Sequence, residues 1–323
     1  MSMKFRRSLC GAVAAIISIV FPDLIQAAEY PERPVKIVAA NPPGGLTDII
    51  ARIVAEGLQR QMGKPFVVEN HPGASSTVGY GFVNRTAADG YTLLLNTESQ
   101  TLMPAFFPDL SFNPIEDFEP ISIIVEVPMT IAVSPKLPAN TLEELIALGK
   151  SSGGELNFAS GGIGTANHVA GLQFMTAAGI KMVHVPYQGS GPALADLVAG
   201  HVDVFVPTTS SIASYYSGGS VKVLVVAGDK RSPLLPNVPS AVEAGLPAFK
   251  YKTWAGLAAP KGTPPEIISL LNEKVMAMLA DPATHERLAA LGTPLGTTPA
   301  AAKERIINEG KANLEMIKSL DVK

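Results

Sequence analysis

Three times along this chain a short apolar run stops at a cluster of Gly and small hydroxyl residues, and helical spacing begins at once. This punctuation constrains the fold more than any other feature, because strand, tight loop and helix in alternation build a mainly parallel sheet covered on both faces. The first instance is Val35–Ala39, broken by Asn41-Pro42-Pro43-Gly44-Gly45. Ile50, Ile53, Val54 and Leu58 then fall on one helical face, and Gly63 stops the run. Thr47 is the expected N-cap, with Asp48 in the first turn. The second instance is Phe66–Glu69, followed by the turn His71-Pro72-Gly73 and a helix opened by Ser75 and Ser76 and running through Val83. The third is Leu156–Ala159, followed by Ser160-Gly161-Gly162-Ile163-Gly164 and a helix carrying Val169, Leu172 and Met175 on one face.

Further strands are expected at Tyr91–Leu95, Met129–Val133, Val183–Val185, Val202–Val206 and Val221–Val226. Leu142–Leu148, Pro264–Leu279 and Ala301–Ile317 read as helices. A Pro-rich middle (Pro104, Pro108, Pro114, Pro120) separates two α/β units, and the end of the chain is expected to return to the first. Such an architecture places ligands in crevices at the carboxyl ends of strands.

The N-terminus reads as an address. Lys4, Arg6 and Arg7 precede an apolar stretch from Leu9 to Phe21, and Ala27 and Ala28 supply small residues for cleavage. The stretch is too short to span a bilayer, so residues 1–28 are expected to be a cleavable export signal and the mature protein to be periplasmic. Cys10 is the only cysteine, which excludes a disulfide framework, a Cys zinc site and a thiol nucleophile from the remainder. Lys and Arg number 25 against 28 Asp and Glu, so no basic excess points to nucleic acid.

The three junctions 41–48, 73–79 and 160–168 expose backbone N–H groups at helix N-termini, where an anion is stabilised. None of them contains Lys or Arg, and neither do 96–103, 187–192 or 206–212. An anion held there is held by neutral donors. Hydrogen bonds to a charged group contribute about 1.5–3 kcal/mol each, so four or five suffice for micromolar binding at about −8 kcal/mol. Enzyme readings are poor by comparison. The segment Gly162-Ile163-Gly164-Thr165-Ala166-Asn167 puts Asn where a dinucleotide loop needs its third Gly. The phosphate-loop and nucleophile-elbow motifs are missing, and the five His residues lack metal-ligand spacing. No cofactor or metal is expected. His184 reads as a core residue, while His168, one turn beyond the Gly loop, reads equally as a pocket donor or a surface residue. Asp48 and Asp203 lack a nameable nucleophile partner.

The order of these segments resembles the periplasmic solute-binding receptors of tripartite tricarboxylate transporters, the Bug receptors. The matching stretches begin with Tyr30-Pro31-x-Arg33-Pro34, Pro43-Gly44-Gly45-x-Thr47-Asp48-x-x-Ala51-Arg52 and Val68-Glu69-Asn70-x-Pro72-Gly73-Ala74. Asp89-Gly90-Tyr91-Thr92-Leu93, Asp117-Phe118-x-Pro120 and His184-Val185-Pro186-Tyr187-x-Gly189 follow. Val238-Pro239-x-x-x-Glu243-x-Gly245 and Trp254-x-Gly256-Leu257-x-x-Pro260 complete the set, so the resemblance covers residues 30–318.

The resemblance implies an α/β fold of the type II periplasmic binding protein kind, with two doubly wound lobes and a ligand cleft between them. Lobe 1 is expected to comprise 29–127 plus 253–323, and lobe 2 to comprise 128–252. Carried over position by position, the ligand contacts in lobe 1 are Asn41, Gly44, Gly45, Thr47, Asp48, Ser75, Ser76 and Thr97. Those in lobe 2 are Ser160, Gly161, Gly164, Thr165, His168, Tyr187 and Thr208. Two departures stand out. Ala40-Asn41 replaces a Pro-Phe pair usual in the family, and Glu98 stands in a loop usually rich in Thr, Ser and Ala.

The implied function is capture of a small organic anion; the cation-free loops favour a mono- or dicarboxylate over a tricarboxylate, and Asn41 and Glu98 tilt the choice toward one with an amide, amino or hydroxyl group. A monomer is expected to deliver it to the membrane permease subunits of a tripartite tricarboxylate transporter. A sensing receptor without a dedicated permease and an exported enzyme on the same fold are the alternatives.

Overall fold

The computed structural model describes residues 30–319; the expected export signal, residues 1–28, lies outside them. The first apolar run forms β1 (Val35–Ala39), and the helical spacing after it forms α1 (Leu46–Met62), stopped by Gly63 at φ +67°. There a residue with a Cβ is disfavoured. The chain continues through β2 (Phe66–Asn70), a single 3-10 turn at Ala74–Ser76, α2 (Thr77–Asn84), β3 (Thr92–Thr97), α3 (Ser99–Phe106) and β4 (Phe118–Pro128). It then crosses into β5 (Thr130–Val133), α4 (Leu142–Ser151), β6 (Asn157–Ser160), α5 (Ala166–Ala178), β7 (Val183–Pro186), α6 (Ser190–Ala199), β8 (Val204–Phe205), α7 (Thr209–Ser217) and β9 (Lys222–Val226). It returns through β10 (Lys252–Pro260), α8 (Pro265–Ala280), α9 (Pro282–Ala289), β11 (Thr293–Pro294) and α10 (Pro299–Ser319).

Two sheets result, a six-stranded one in the order β11-β4-β10-β3-β1-β2 and a five-stranded one in the order β7-β6-β8-β5-β9. Both are mixed, which corrects the expectation of mainly parallel sheets. The local βαβ units are parallel, β1 with β2 and β3, and β6 with β7 and β8. The strands that arrive from the other lobe run against them: β10 against β3 and β4, and β5 against β8 and β9. The reason is geometric. Strands of the local units end at the edge facing the other lobe, where their loops and helix N-termini lie, whereas a strand entering from that lobe starts there.

The Pro-rich middle is not a linker. It carries α3, with Pro104 inside it, and the 11-residue strand β4. Pro120 is tolerated in β4 because it lies beside a register shift in the pairing with β10, between Leu257 and Ala258, where a missing N–H costs no regular ladder bond.

Two helix starts also differ from expectation. Gly45, not Thr47, is the N-cap of α1, because the Asp48 carboxylate turns back to the Gly44 N–H at 3.0 Å and draws Leu46 and Thr47 into the first turn. Ser75 and Ser76 do not open α2 in helical geometry. Ala74, Ser75 and Ser76 take φ of 42°, 51° and 76° in succession, and regular helix begins at Thr77.

Each sheet has its own core. In the first, Ile37, Ile50, Val54, Leu95, Leu257 and Leu271 pack together; in the second, Ile131, Phe158, Val169, Phe174, Val204 and Phe249 do so. Burying each such side chain contributes about 1.5–3 kcal/mol. Leu102 of α3 and Ile317 of α10 join the second core, so both helices brace one lobe against the other.

Candidate functional site

The loop after β1 is shaped by one carboxylate. Asp48 is buried and receives hydrogen bonds from Gly44 N, from Nε and Nη2 of Arg52 and from Nδ2 of Asn70, each at 3.0 Å. The same Asn70 amide donates to the Asn41 carbonyl at 3.1 Å. Burial alone raises the Asp48 carboxyl, but the bonds from Arg52, Gly44 and Asn70 outweigh it and hold the group below the usual carboxylate range. Asp48 therefore fixes Gly44 directly and, through Asn70, the Asn41 carbonyl. Asp203 is occupied in a similar way, in reciprocal bonds with Asn157.

The loop after β2 meets the second lobe directly. Ser75 Oγ donates to the carbonyl oxygen of Ile163 at 2.7 Å, while Thr77 Oγ1 pins Ala74 O at 2.8 Å. Backbone at positive φ in three consecutive non-Gly residues is costly and persists where surrounding structure demands it; here it aims Ser75 across the cleft. Ser76, beside it, is buried. Thr97, at the end of β3, donates its N–H to Tyr80 Oη at 2.9 Å.

The opposing loop of lobe 2 is built on Ser160, whose Oγ accepts from Gly162 N at 3.1 Å and lies 2.7 Å from His184 Nε2. Gly164 has φ +76°, and a Cβ placed there would lie 3.2 Å from the Phe106 side chain of α3. A side chain there would be strained at that φ and would also require the Phe106 ring to give by a few tenths of an ångström. Thr165 caps α5 and donates Oγ1 to Gly162 O at 2.7 Å. Gly161 O accepts from Gly189 N at 3.1 Å, joining this loop to the one after β7.

His168, 2% exposed, is a buried residue rather than a surface one. Its Nδ1 accepts the Gly164 N–H at 3.2 Å, which places the ring proton of the neutral form on Nε2. The ring stacks on His184 at 4.2 Å and tilts against Phe106 at 5.4 Å. Burial foremost, and then the neighbouring His184, depress His168 to about 3; burial depresses His184 to about 4. Both imidazoles are thus neutral at pH 7. This loop therefore presents neutral rings and no cation.

Two other residues are placed differently. The Tyr187 hydroxyl donates to Asp196 Oδ2 at 2.7 Å on α6, so the phenol is anchored within lobe 2. Thr208 caps α7, accepting from Ser211 N at 3.3 Å, and bridges to Met129 at the crossover between the lobes.

The sequence did not single out Phe106, because it lies in a helix hidden among prolines. It also left Glu98 unplaced. Glu98 is buried at the start of α3; its Oε1 accepts from the Tyr251 hydroxyl and its Oε2 is buried without a partner among the described residues. Among the described residues no group of His, Cys, Asp or Glu is placed to hold a metal ion, and no helix is long and apolar enough to cross a membrane.

Two α/β lobes crossed twice by the chain, with Gly-rich helix starts facing each other, define a solute-binding protein of the type II periplasmic class. The chain belongs to the tripartite tricarboxylate transporter receptor family, TctC, whose model matches residues 50–321. BugT of Bordetella pertussis is 35% identical over 312 residues, 96% of this chain and 95% of BugT. The structure of the periplasmic binding protein BugD superposes with a TM-score of 0.84 at 35% identity, covering 91% of this chain and 99% of that one. MatC of Rhodopseudomonas palustris with bound malate superposes with a TM-score of 0.82 at 31% identity, covering 89% of this chain and all (100%) of that one. The family consists of binding proteins, not enzymes.

Proposed function

We propose that this chain captures a small mono- or dicarboxylate bearing a hydroxyl, amide or amino group and hands it to the membrane subunits of a tripartite tricarboxylate transporter. It acts in the periplasm as a monomer after removal of residues 1–28. Residues 29–127 with 253–323 form one jaw and 128–252 the other. The observation that carries this reading is the contact of Ser75 with Ile163, which brings the Gly-rich helix starts of the two lobes face to face beside neutral His168, with no Lys or Arg in either loop. Malate bound in the MatC relative is a hydroxy-dicarboxylate of the expected kind.

Helix N-termini contribute roughly 0.3–1 kcal/mol each toward an anion, and up to ~2 when partly buried. A second, fully desolvated carboxylate without a counter-charge is costly, so any second charge lies near water. Mass spectrometry of solute released from purified protein, with thermal-shift screening of mono-, di- and tricarboxylates, tests the reading. Malate-like acids are expected to raise the melting temperature most. Tightest binding of citrate, or binding of uncharged sugars, overturns it.

A further inference from the structure

Glu98 serves none of the contacts described for the cleft, yet it is a buried carboxyl at the point where the chain passes between lobes. On the lobe 1 side it is fixed by its backbone: its N–H donates to Trp254 O at 3.2 Å, and its carbonyl accepts from Thr101 N at 2.8 Å and Thr101 Oγ1 at 2.7 Å. Its carboxyl faces the other way. Oε1 accepts from Tyr251, the residue just before β10, whose ring is buried in the lobe 2 core with Met129, Leu246 and Phe249. Tyr251 O also accepts from Met129 N at 3.2 Å, so the two crossovers are paired at this place.

The other groups facing Glu98 are Glu309 on α10, whose charge raises the carboxyl, and Arg305 on α10 and the Thr253 hydroxyl on β10, which lower it by less than burial raises it. Arg305 is already bound to Glu309 at 2.6 Å and to Glu126 at 2.9 Å, and Glu126 also holds Lys252 at 2.9 Å. That network leaves no cation on Glu98. An ionised carboxylate whose Oε2 is buried without a partner is strongly disfavoured, whereas a neutral acid is tolerated.

We propose that the Glu98–Tyr251 contact is a proton-operated latch, in which the proton on Glu98 sets the balance between closed and open forms of the ligand-free receptor. This rests on the two-jaw reading above and adds its regulation. When the lobes swing apart about the paired crossovers at Met129 and Tyr251, the Tyr251 ring turns with the lobe 2 core that holds it and uncovers Glu98, which then ionises.

The sign follows from linkage. Burial, opposed by the Tyr251 bond, raises Glu98 to about 8 in this arrangement, against an ordinary value of about 4.3 once solvated. Closing therefore takes up a proton between those values and becomes harder by up to about tenfold per pH unit as pH rises through that window. Above it the dependence flattens. His168 and His184 act in the opposite sense, but with an ordinary value of about 6.5 each changes the ratio by at most about twofold above that pH, so Glu98 dominates the interval from pH 6.5 to 8.5.

The test is small-angle scattering of ligand-free protein at pH 6.5 and 8.5, with the fluorescence of Trp254, the only tryptophan, as a second reporter at the same strand. The natural chain is expected to expand between the two pH values, with at least about a fivefold change in the closed-to-open ratio. Glu98→Gln, which keeps an acceptor for Tyr251 but cannot titrate, is expected to keep one radius at both. Tyr251→Phe removes a bond that favours the ionised form and should move the transition to higher pH. A radius unaffected by pH in the natural chain, or a Glu98→Gln variant that follows it, overturns the latch. Failure of every carboxylate to bind overturns the transport reading instead, and leaves this measurement standing.

Discussion

Ser75 of the first lobe donates its hydroxyl hydrogen to the backbone carbonyl of Ile163 in the second, at 2.7 Å. The donor sits in strained backbone and the acceptor in a Gly-rich loop, so the bond exists only when both loops face each other. Its net contribution to the closed form is about 0.5–1.5 kcal/mol. Ser75→Ala is therefore expected to weaken solute affinity by about twofold to tenfold. Calorimetry with the solute found in the carboxylate screen checks this, with unchanged melting of the ligand-free protein as the control.

Gly164 faces Phe106 across the same boundary. A Cβ on Gly164 meets Phe106 at 3.2 Å and must also adopt φ +76°. Gly164→Ala should reduce affinity by at least about tenfold, near 1.4 kcal/mol. Adding Phe106→Ala should restore part of the loss, because the collision lies between lobes. A double variant as weak as the single one would place the damage inside lobe 2 alone.

His168 connects the site to acid sensitivity. Its closed-state value of about 3 lies below the ordinary 6.5, so the unfolded chain takes up the proton first as pH falls. Stability should decline from about pH 6.5 downward, at up to about 1.4 kcal/mol per pH unit. Thermal melts at pH 7 and pH 5 are expected to differ, and His168→Gln should narrow the difference. An unaltered difference in the variant would assign the acid sensitivity elsewhere.

Asp48 is a structural clamp. Asp48→Ala strands the Gly44 N–H and the Asn70 amide and frees Arg52, at an expected cost of about 1–3 kcal/mol. Denaturant titration measures it. Arg52→Ala should cost less than Asp48→Ala, because the Arg52 side chain is largely exposed whereas Asp48 lies inside the loop.

The local grammar of the chain was legible because it depends on neighbours in sequence. The spacing of Ile50, Ile53, Val54 and Leu58 determines the buried face of α1, and Gly63 ends it, since few other residues adopt its left-handed backbone. The absence of Lys and Arg from the facing loops was equally plain, and with it the neutral character of the site. The family motifs extended that reading to the two-lobed architecture. Other features rest on partners far along the chain. Strand β4 hid behind Pro120 because its hydrogen bonds are supplied by β10, more than a hundred residues later. The direction of β5 and β10 follows from where the chain enters each lobe, which no local pattern encodes. Glu98 is a solvated loop acid by its neighbours and a buried one by its fold, because Tyr251 and α10 close over it. Burial, and the protonation that follows from it, is a property of assembled surfaces; the sequence determines the elements, and their packing decides which charges lose water.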